Sequence, residues 1–163
     1  MPGQKEKAWF TKQIRPMLDT LYHVAYAILH NDADAQDAVQ DSIERAYVSL
    51  DALRDHSKFR PWVIRILKNE CYRILRQKQR EVPLEDLKET GEEPYDTLDL
   101  KAAFLRLSPE SRLAVTLFYY EGYRITEIAA MLEEPENTVK SRLSRARKAL
   151  RKDLIDEEVS YAK

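Results

Sequence analysis

The sequence has little of several features that mark particular classes of protein. Its 163 residues include one cysteine, Cys71, and three glycines. A lone cysteine excludes an internal disulfide framework and a cysteine-based metal cluster. Scarce glycine disfavours sandwiches and barrels with many tight turns, whereas helices tolerate it. No apolar run is long enough to span a bilayer and the N-terminus lacks the core of a signal peptide, so we expect a cytoplasmic protein without membrane insertion.

Sequence features of enzymes are also missing. His23, His30 and His56 show no ligand spacing with each other or with Cys71, and no glycine-rich phosphate loop occurs. We therefore expect no catalytic residue, no metal site and no cofactor. Cys71 falls on an apolar helical stripe, where a lone cysteine is more often packed core than redox sensor.

Apolar residues recur at helical spacing in three segments of the first half. The stripes run over residues 14–29, 35–50 and 62–75, and Pro16 either starts the first helix or separates it from a short N-terminal one. Three amphipathic helices of this length can share one core. The pattern predicts a helical domain over residues 1–80.

The segment 81–99 interrupts this pattern. It carries eight acidic residues against one lysine, with Pro83, Gly91 and Pro94 among them, which is typical of an exposed linker. Helical spacing resumes near Leu100, and Ser108-Pro109-Glu110 is a good helix start. We predict an all-α protein of two small helical domains, 1–80 and 100–163, joined by an acidic linker at 81–99.

The C-terminal segment predicts a helix-turn-helix. A short apolar helix over 125–132 is followed by Pro135 and by a helix whose apolar positions are Val139, Leu143, Ala146 and Leu150. A basic helix alone is usually only a solvated face, but the turn and the correct phase favour DNA binding. The residues predicted to contact duplex DNA are Asn137, Thr138, Lys140, Ser141, Arg142, Arg145 and Lys148.

Residues 58–80 form a second basic block, with interleaved aromatic residues and Glu70 as the only acid. Cations for the backbone and rings for unstacked bases suit single-stranded nucleic acid. Trp62 is more often core than stacking platform in such a position, Phe59 is evenly balanced between the two, and Asn69 could make a local hydrogen bond. The candidate residues are Lys58, Phe59, Arg60, Trp62, Arg65, Asn69, Arg73 and Arg76.

The helix before this block has an acidic face, which would repel phosphate. That face is either simply solvated or a protein-docking patch. Its residues are Asp34, Asp37, Gln40, Asp41 and Glu44. The acidic linker and this face together explain how two basic blocks coexist with a formal net charge of −1.

Three segments in the right order resemble the bacterial RNA polymerase sigma factors, in particular their extracytoplasmic-function (ECF) subgroup. The segment "DADAQDAVQDSIERAY" resembles the family's polymerase-docking helix. The segment "FRPWVIRILKNECYRILR" resembles its −10 strand-capturing helix. The segment "EGYRITEIAAMLEEPENTVKSRLSRARKAL" resembles its −35 helix-turn-helix. Among the departures, Glu133 and Asn137 stand where glycines are common.

The resemblance implies a sigma factor that directs core RNA polymerase to promoters and begins strand opening. Asp37, Gln40 and Asp41 would face the polymerase. The residues that would surround the non-template strand are Lys58, Phe59, Arg60, Arg65, Asn69 and Arg76. Those that would read or grip the −35 groove are Asn137, Thr138, Lys140, Ser141 and Arg145. The implied partners are core RNA polymerase, promoter DNA and an anti-sigma factor. The alternative is an autonomous helix-turn-helix regulator that binds duplex DNA without polymerase, which leaves the aromatic-basic block unexplained.

The resemblance also sets a requirement on reach. Two promoter elements about 25 base pairs apart are separated by roughly 85 Å of B-DNA. The linker spans at most ~60 Å when fully extended. A helical unit of ~80 residues adds a diameter near 30 Å. The linker and the two domains can therefore bridge the gap, but only when the linker is nearly extended.

Overall fold

The computed structural model describes residues 2–81 and 100–161, with side chains through residue 152. Every regular element in these ranges is helical, which confirms the predicted all-α fold. Of the predicted linker, Glu81 ends a helix, and the rest, 82–99, lies outside the described residues. The domain boundaries stay a prediction.

The N-terminal half, residues 4–81, contains four α-helices. They are α1 (Gln4–Ile14), α2 (Leu18–Leu29), α3 (Asp32–Val48) and α4 (Phe59–Glu81). Pro16 lies in a short 3-10 turn, Arg15–Met17, that separates α1 from α2, which is one of the two arrangements expected for it. Helix α3 starts at a polar cap, because the Asn31 side chain accepts a hydrogen bond from the Asp34 backbone N–H.

The C-terminal half, residues 100–161, contains four more. They are α5 (Leu100–Arg106), α6 (Pro109–Val115), α7 (Ile125–Leu132) and α8 (Glu136–Tyr161), with a π-type turn at Thr116–Tyr120 after α6. Helix α6 begins as predicted: Ser108 caps it by accepting from the Ser111 N–H at 3.2 Å, and Pro109 is its first residue.

The apolar cores of the two halves are continuous. Helices α2, α3 and α4 bury Val24, Ala38 and Leu67 completely, and α6, α7 and α8 do the same with Leu113, Ile128 and Val139. These residues belong to one cluster, because α2 packs against α6 and α4 packs against α7. The protein is therefore closed on itself.

Candidate nucleic-acid interface

Helix α8 presents the polar face that the sequence predicts. Val139, Leu143 and Ala146 are buried against the rest of the C-terminal half, which fixes the rotation of the helix about its axis. Thr138 is half-buried. The exposed residues on the opposite side are Asn137, Lys140, Ser141, Arg145 and Lys148. Five of the seven predicted duplex contacts are thus open to a major groove.

The turn before α8 is built from acidic residues. Arg142, which is half-buried, donates to the Glu134 carboxylate at 2.9 Å and so joins the start of α8 to the turn. Glu133 ends α7 in the left-handed conformation, with φ 55° and ψ 41°. The Glu134 N–H returns to the Ala129 carbonyl at 3.0 Å. In this conformation Arg142 therefore stabilises the helix-turn-helix through Glu134 and does not extend into solvent.

Helix α4 differs from α8 because part of its predicted nucleic-acid face is covered or used internally. Lys58, Arg60, Asn69, Arg73 and Arg76 are exposed, whereas Arg65 and Trp62 are half-buried. Phe59 is 3% exposed and packs edge-on against Trp9 and Phe10, with ring centroids 5.2 and 5.6 Å away. In this conformation Phe59 is a core residue that cannot stack on a base, and Trp62 lies beside it at 6.1 Å.

Arg73 is held along its own helix. It donates to the Glu70 carboxylate at 2.6 Å, and Arg45 of α3 lies 3.4 Å from the same carboxylate. The hydrogen bond from Arg73 lowers the pKa of Glu70, and Arg45 adds to the effect. Sequence reasoning noted Glu70 only as the single acid in a basic block. Its partners show that it ties α3 to α4.

Two cations of α4 contact the end of α7. Arg65 donates from Nη2 to the Ala130 carbonyl at 2.9 Å, and its Nε lies 3.1 Å from the Glu133 carboxylate. Lys68 is 7% exposed and donates from Nζ to the Leu132 carbonyl at 3.3 Å. Burial lowers the pKa of Lys68, while Glu133 opposes that shift. Lys68 was not among the predicted site residues, although its place between Arg65 and Asn69 was a signal for it.

Arg112 makes a second polar contact between the halves. Its guanidinium, 9% exposed, donates to the carbonyls of Ala27 at 2.7 Å and Ile28 at 2.9 Å, at the C-terminal end of α2. It also donates to the Leu107 carbonyl at 2.6 Å within its own half. A cation is favourable at a helix C-terminus, where the carbonyls lack helical partners. Sequence reasoning missed this residue.

A smaller polar contact joins the halves nearer the N-terminal end of α2. The Glu121 carboxylate accepts from the Thr20 hydroxyl at 2.8 Å and lies 3.3 Å from Nδ1 of His23. The Tyr120 ring packs edge-on against the His23 ring, with centroids 4.8 Å apart. The closed arrangement is therefore held by buried apolar surface and by three separate polar contacts.

The acidic face of α3 points away from this junction. Asp37, Gln40, Asp41 and Glu44 are exposed, and α3 packs mainly against helices α2 and α4 of its own half. Asp34 is half-buried and forms an ion pair with Lys78 of α4. Four of the five predicted docking residues thus remain available to a protein partner.

The loop before α4 is well ordered by side-chain contacts. The Asp55 carboxylate accepts from the Ser57 N–H at 3.0 Å and from its hydroxyl at 2.6 Å, and these bonds lower the pKa of Asp55. His56 stacks on Trp9 with ring centroids 4.3 Å apart. These contacts fix the conformation of the loop, which lies next to the exposed Lys58 and Arg60.

Several other features bear on the chemistry of the molecule. Cys71 is fully buried, and desolvation raises the pKa of its thiol to about 12, so it remains a protonated core residue. Within residues 2–81 and 100–161, no group of histidine, cysteine and acidic side chains is placed to hold a metal ion. None of the described helices is both long and apolar enough to cross a membrane.

Comparison with known proteins extends over both halves. Residues 13–81 match the family model of sigma-70 region 2, and residues 97–150 match that of sigma-70 region 4. The chain is 30% identical over 162 residues to the RNA polymerase sigma factor SigV of Bacillus subtilis, covering 96% of this chain and 98% of that protein. It is also 30% identical to the ECF sigma factor SigW of the same organism, covering 85% and 84%.

Solved structures resemble the whole closed arrangement. The sigma factor RpoE from Bartonella quintana, in complex with the anti-sigma factor NepR, superposes with a TM-score of 0.74 at 29% identity, covering 89% of this chain and 96% of that one. CnrH, in complex with the cytosolic domain of CnrY, gives a TM-score of 0.69 at 23% identity, which shows a shared fold.

Proposed function

Because the chain belongs to the sigma-70 family of RNA polymerase sigma factors, and to its ECF subgroup, we propose that it directs core RNA polymerase to specific promoters and begins strand opening. The observation that carries this function is the presence of two separate nucleic-acid faces, on α4 and α8, beside an open acidic face on α3. An autonomous regulator that binds duplex DNA needs only one nucleic-acid face, on a single helix. The function needs no catalytic chemistry from the chain itself.

In the duplex step, α8 enters the major groove at the −35 element. Asn137, Lys140 and Ser141 lie in its first two turns, where a helix-turn-helix reaches base edges. Arg145 and Lys148 lie one to two turns further on and are suited to phosphates. The buried stripe on the other side of α8 fixes this register, because rotating the helix would expose Val139 and Leu143.

In the strand-opening step, the N-terminal half holds unpaired bases of the −10 element. Lys58 and Arg60 lie where the loop meets the start of α4, and Asn69 and Arg76 continue the exposed face along the helix. Extruding a base costs a few kcal/mol of stacking, which contacts between the base and the N-terminal half recover. Phe59 contributes by packing beneath the loop, so its burial supports the loop without contacting the strand.

The partners follow from the faces. Core RNA polymerase binds the acidic face of α3, promoter DNA binds α4 and α8, and an anti-sigma factor covers DNA-facing surfaces when transcription is switched off. Since the structural relative RpoE is a sigma factor in complex with the anti-sigma factor NepR, such a partner is expected for this chain as well. Its place of action is the cytoplasm, with the polymerase.

The test is multi-round transcription by purified bacterial core polymerase on a library of promoter fragments, with and without this protein. A parallel assay measures binding of the protein alone to the same fragments. We expect transcripts that depend on both the protein and core, with weak binding by the protein alone. Tight sequence-specific binding without core, and no transcripts from any fragment, would instead establish an autonomous regulator.

A further inference from the structure

A cleft of about 450 Å³ lies between α8 and the loop that joins α5 to α6. On the α8 side, Ala146 and Ala149 leave room in it because their side chains are single methyl groups. The polar residues that line the cleft are Arg106, Ser108, Glu110, Ser111, Arg142 and Arg145. The cleft therefore combines open space with polar side chains from two segments that are distant in the chain.

The charge balance of the cleft is positive. Three arginines line it against one acidic residue, Glu110. Arg106 and Arg145 are exposed, whereas Arg142 is half-buried and paired with Glu134 at 2.9 Å, so the two exposed guanidinium groups supply most of the positive charge. A guanidinium group binds phosphate oxygens through two parallel hydrogen bonds. A phosphate group is therefore the class of ligand that the cleft suits.

The loop between α5 and α6 adds a hydroxyl donor. The Ser108 hydroxyl donates to the Ser111 hydroxyl at 3.0 Å and accepts from the Ser111 N–H at 3.2 Å. The first of these bonds uses the proton of Ser108, so the proton of the Ser111 hydroxyl is the one that a ligand oxygen can accept. Arg106 is the last residue of α5, two positions before Ser108. The end of α5 and its loop thus bring a guanidinium and a hydroxyl to one cleft.

Arg145 connects the cleft to the surface of α8 that faces duplex DNA. It lines the cleft and also belongs to the exposed face that carries Lys140 and Ser141. The major groove of B-DNA is about 12 Å wide, and an α-helix with its side chains is about 10–12 Å across. A helix in this groove therefore has a phosphate backbone along each flank. On the flank of Arg145, the protein surface continues to the α5–α6 loop and Arg106.

We propose that Arg106 and Ser111, which lie outside the helix-turn-helix, bind a backbone phosphate of the duplex whose major groove α8 occupies. This inference rests on the duplex step of the proposed function and adds a contact to it. The sequence placed every duplex contact between Asn137 and Lys148. A phosphate contact carries no sequence information but fixes the orientation of a protein on DNA. The end of α5 thereby sets how α8 lies in the groove.

The first measurement is binding of the full-length protein to a fluorescein-labelled duplex of about 20 base pairs at several salt concentrations. The duplex comes from the promoter fragment that either the transcription assay or the parallel binding assay identifies. No polymerase is needed, because the face of α8 is exposed in the free protein. Arg106→Ala should weaken binding roughly three- to tenfold at low salt. It should also reduce the slope of log affinity against log salt by about 0.9, the value for one phosphate contact.

Three further variants separate the phosphate contact from general effects. Lys101→Ala is the matched control, because it removes an exposed cation of the same helix at a position outside the cleft, and its slope should equal that of the parent. Arg106→Lys should restore the slope but only part of the affinity, since an ammonium cannot bind phosphate in the bidentate way. Ser111→Ala keeps the N–H that Ser108 caps and should weaken binding about twofold without changing the slope. Circular dichroism checks that each variant is folded.

The second measurement replaces single phosphates of the duplex by uncharged methylphosphonates. The parent should lose affinity at a few backbone positions beside the groove. At one of these, Arg106→Ala should lose nothing more, because its contact is already gone, while Lys101→Ala should respond as the parent does.

The inference would be overturned if Arg106→Ala had the salt slope of the parent and the same loss at every replaced phosphate. Binding of inorganic pyrophosphate that Arg106→Ala abolishes, with an unchanged response to the replaced phosphates, would assign the cleft to a free phosphate compound and would also overturn it. Neither measurement uses polymerase, so a failed transcription assay would refute the proposed function separately.

Discussion

Helices α4 and α8 carry similar basic, polar faces, but the fold treats them differently. On α8, Lys140, Arg145 and Lys148 are exposed. On α4, Lys68 is buried and Arg65 is engaged by α7. The difference arises because α8 buries its apolar stripe within its own half, while α4 contacts the other half. A basic face read from sequence is therefore a candidate ligand site whose availability depends on what packs across it.

The largest effect is expected from removing the join that holds the halves together. Arg112→Met leaves the buried carbonyls of Ala27, Ile28 and Leu107 without their donor. We expect the free energy of unfolding in urea to fall by about 3 kcal/mol, because each lost bond to a buried acceptor is costly. Arg151→Met, at an exposed position of α8, is the control and should change stability little. Equal stability of the two variants would show that the Arg112 hydrogen bonds do not stabilise the contact between the halves.

The exposed face of α8 should respond next most strongly. Arg145→Glu replaces an exposed cation with an anion at the phosphate backbone and should reduce promoter-specific transcription at least ~10-fold, or about 1.4 kcal/mol. Lys12→Glu makes the same charge change at an exposed position of α1 and should reduce it much less. Circular dichroism checks that both variants remain folded. Equal losses in the two variants would remove α8 from the duplex step.

A substitution on the exposed face of α4 should affect a different step from a substitution on α8, namely the binding of single-stranded DNA. Arg76→Glu should weaken binding of the assembled holoenzyme to a single-stranded −10 oligonucleotide about fivefold, since one exposed backbone cation is reversed. Arg145→Glu should leave that binding unchanged, because the oligonucleotide has no −35 duplex. If both variants weaken it alike, the division of labour between the two helices is incorrect.

The smallest effect concerns Arg73, which closely contacts the Glu70 carboxylate. Arg73→Ala should lower the free energy of unfolding only slightly at neutral pH, because the arginine is half exposed and water screens its ion pair. The pKa of Glu70 is lowered in the folded protein, so the contribution is present above the unfolded pKa of the carboxyl. It is lost as pH falls through the folded pKa. Urea unfolding at pH 7 and at pH 3 measures it; a pH-independent difference would assign the loss to packing.

Local sequence patterns were sufficient for the helices and for the face of α8. Period-3.6 spacing, the Ser108-Pro109 cap and the proline breaks are properties of neighbouring residues, and the all-α fold they predict is confirmed. The sequence left Phe59 evenly balanced between a core residue and a platform for stacked bases. In the structure it is a core residue, because aromatic residues of α1 pack against it. No local pattern carries that information, since Trp9 and Phe59 are fifty positions apart in the chain.

By itself the sequence determined the helical elements, the segregation of charge into two basic blocks and an acidic face, and the resemblance that names the family. Only the tertiary structure decided that the halves close on one another, that Arg112 caps α2, and that α7 covers Arg65 and Lys68. The physical reason is that periodicity and caps are set by residues a few positions apart. Pairing across the junction joins groups that are 64 to 101 positions apart in the chain.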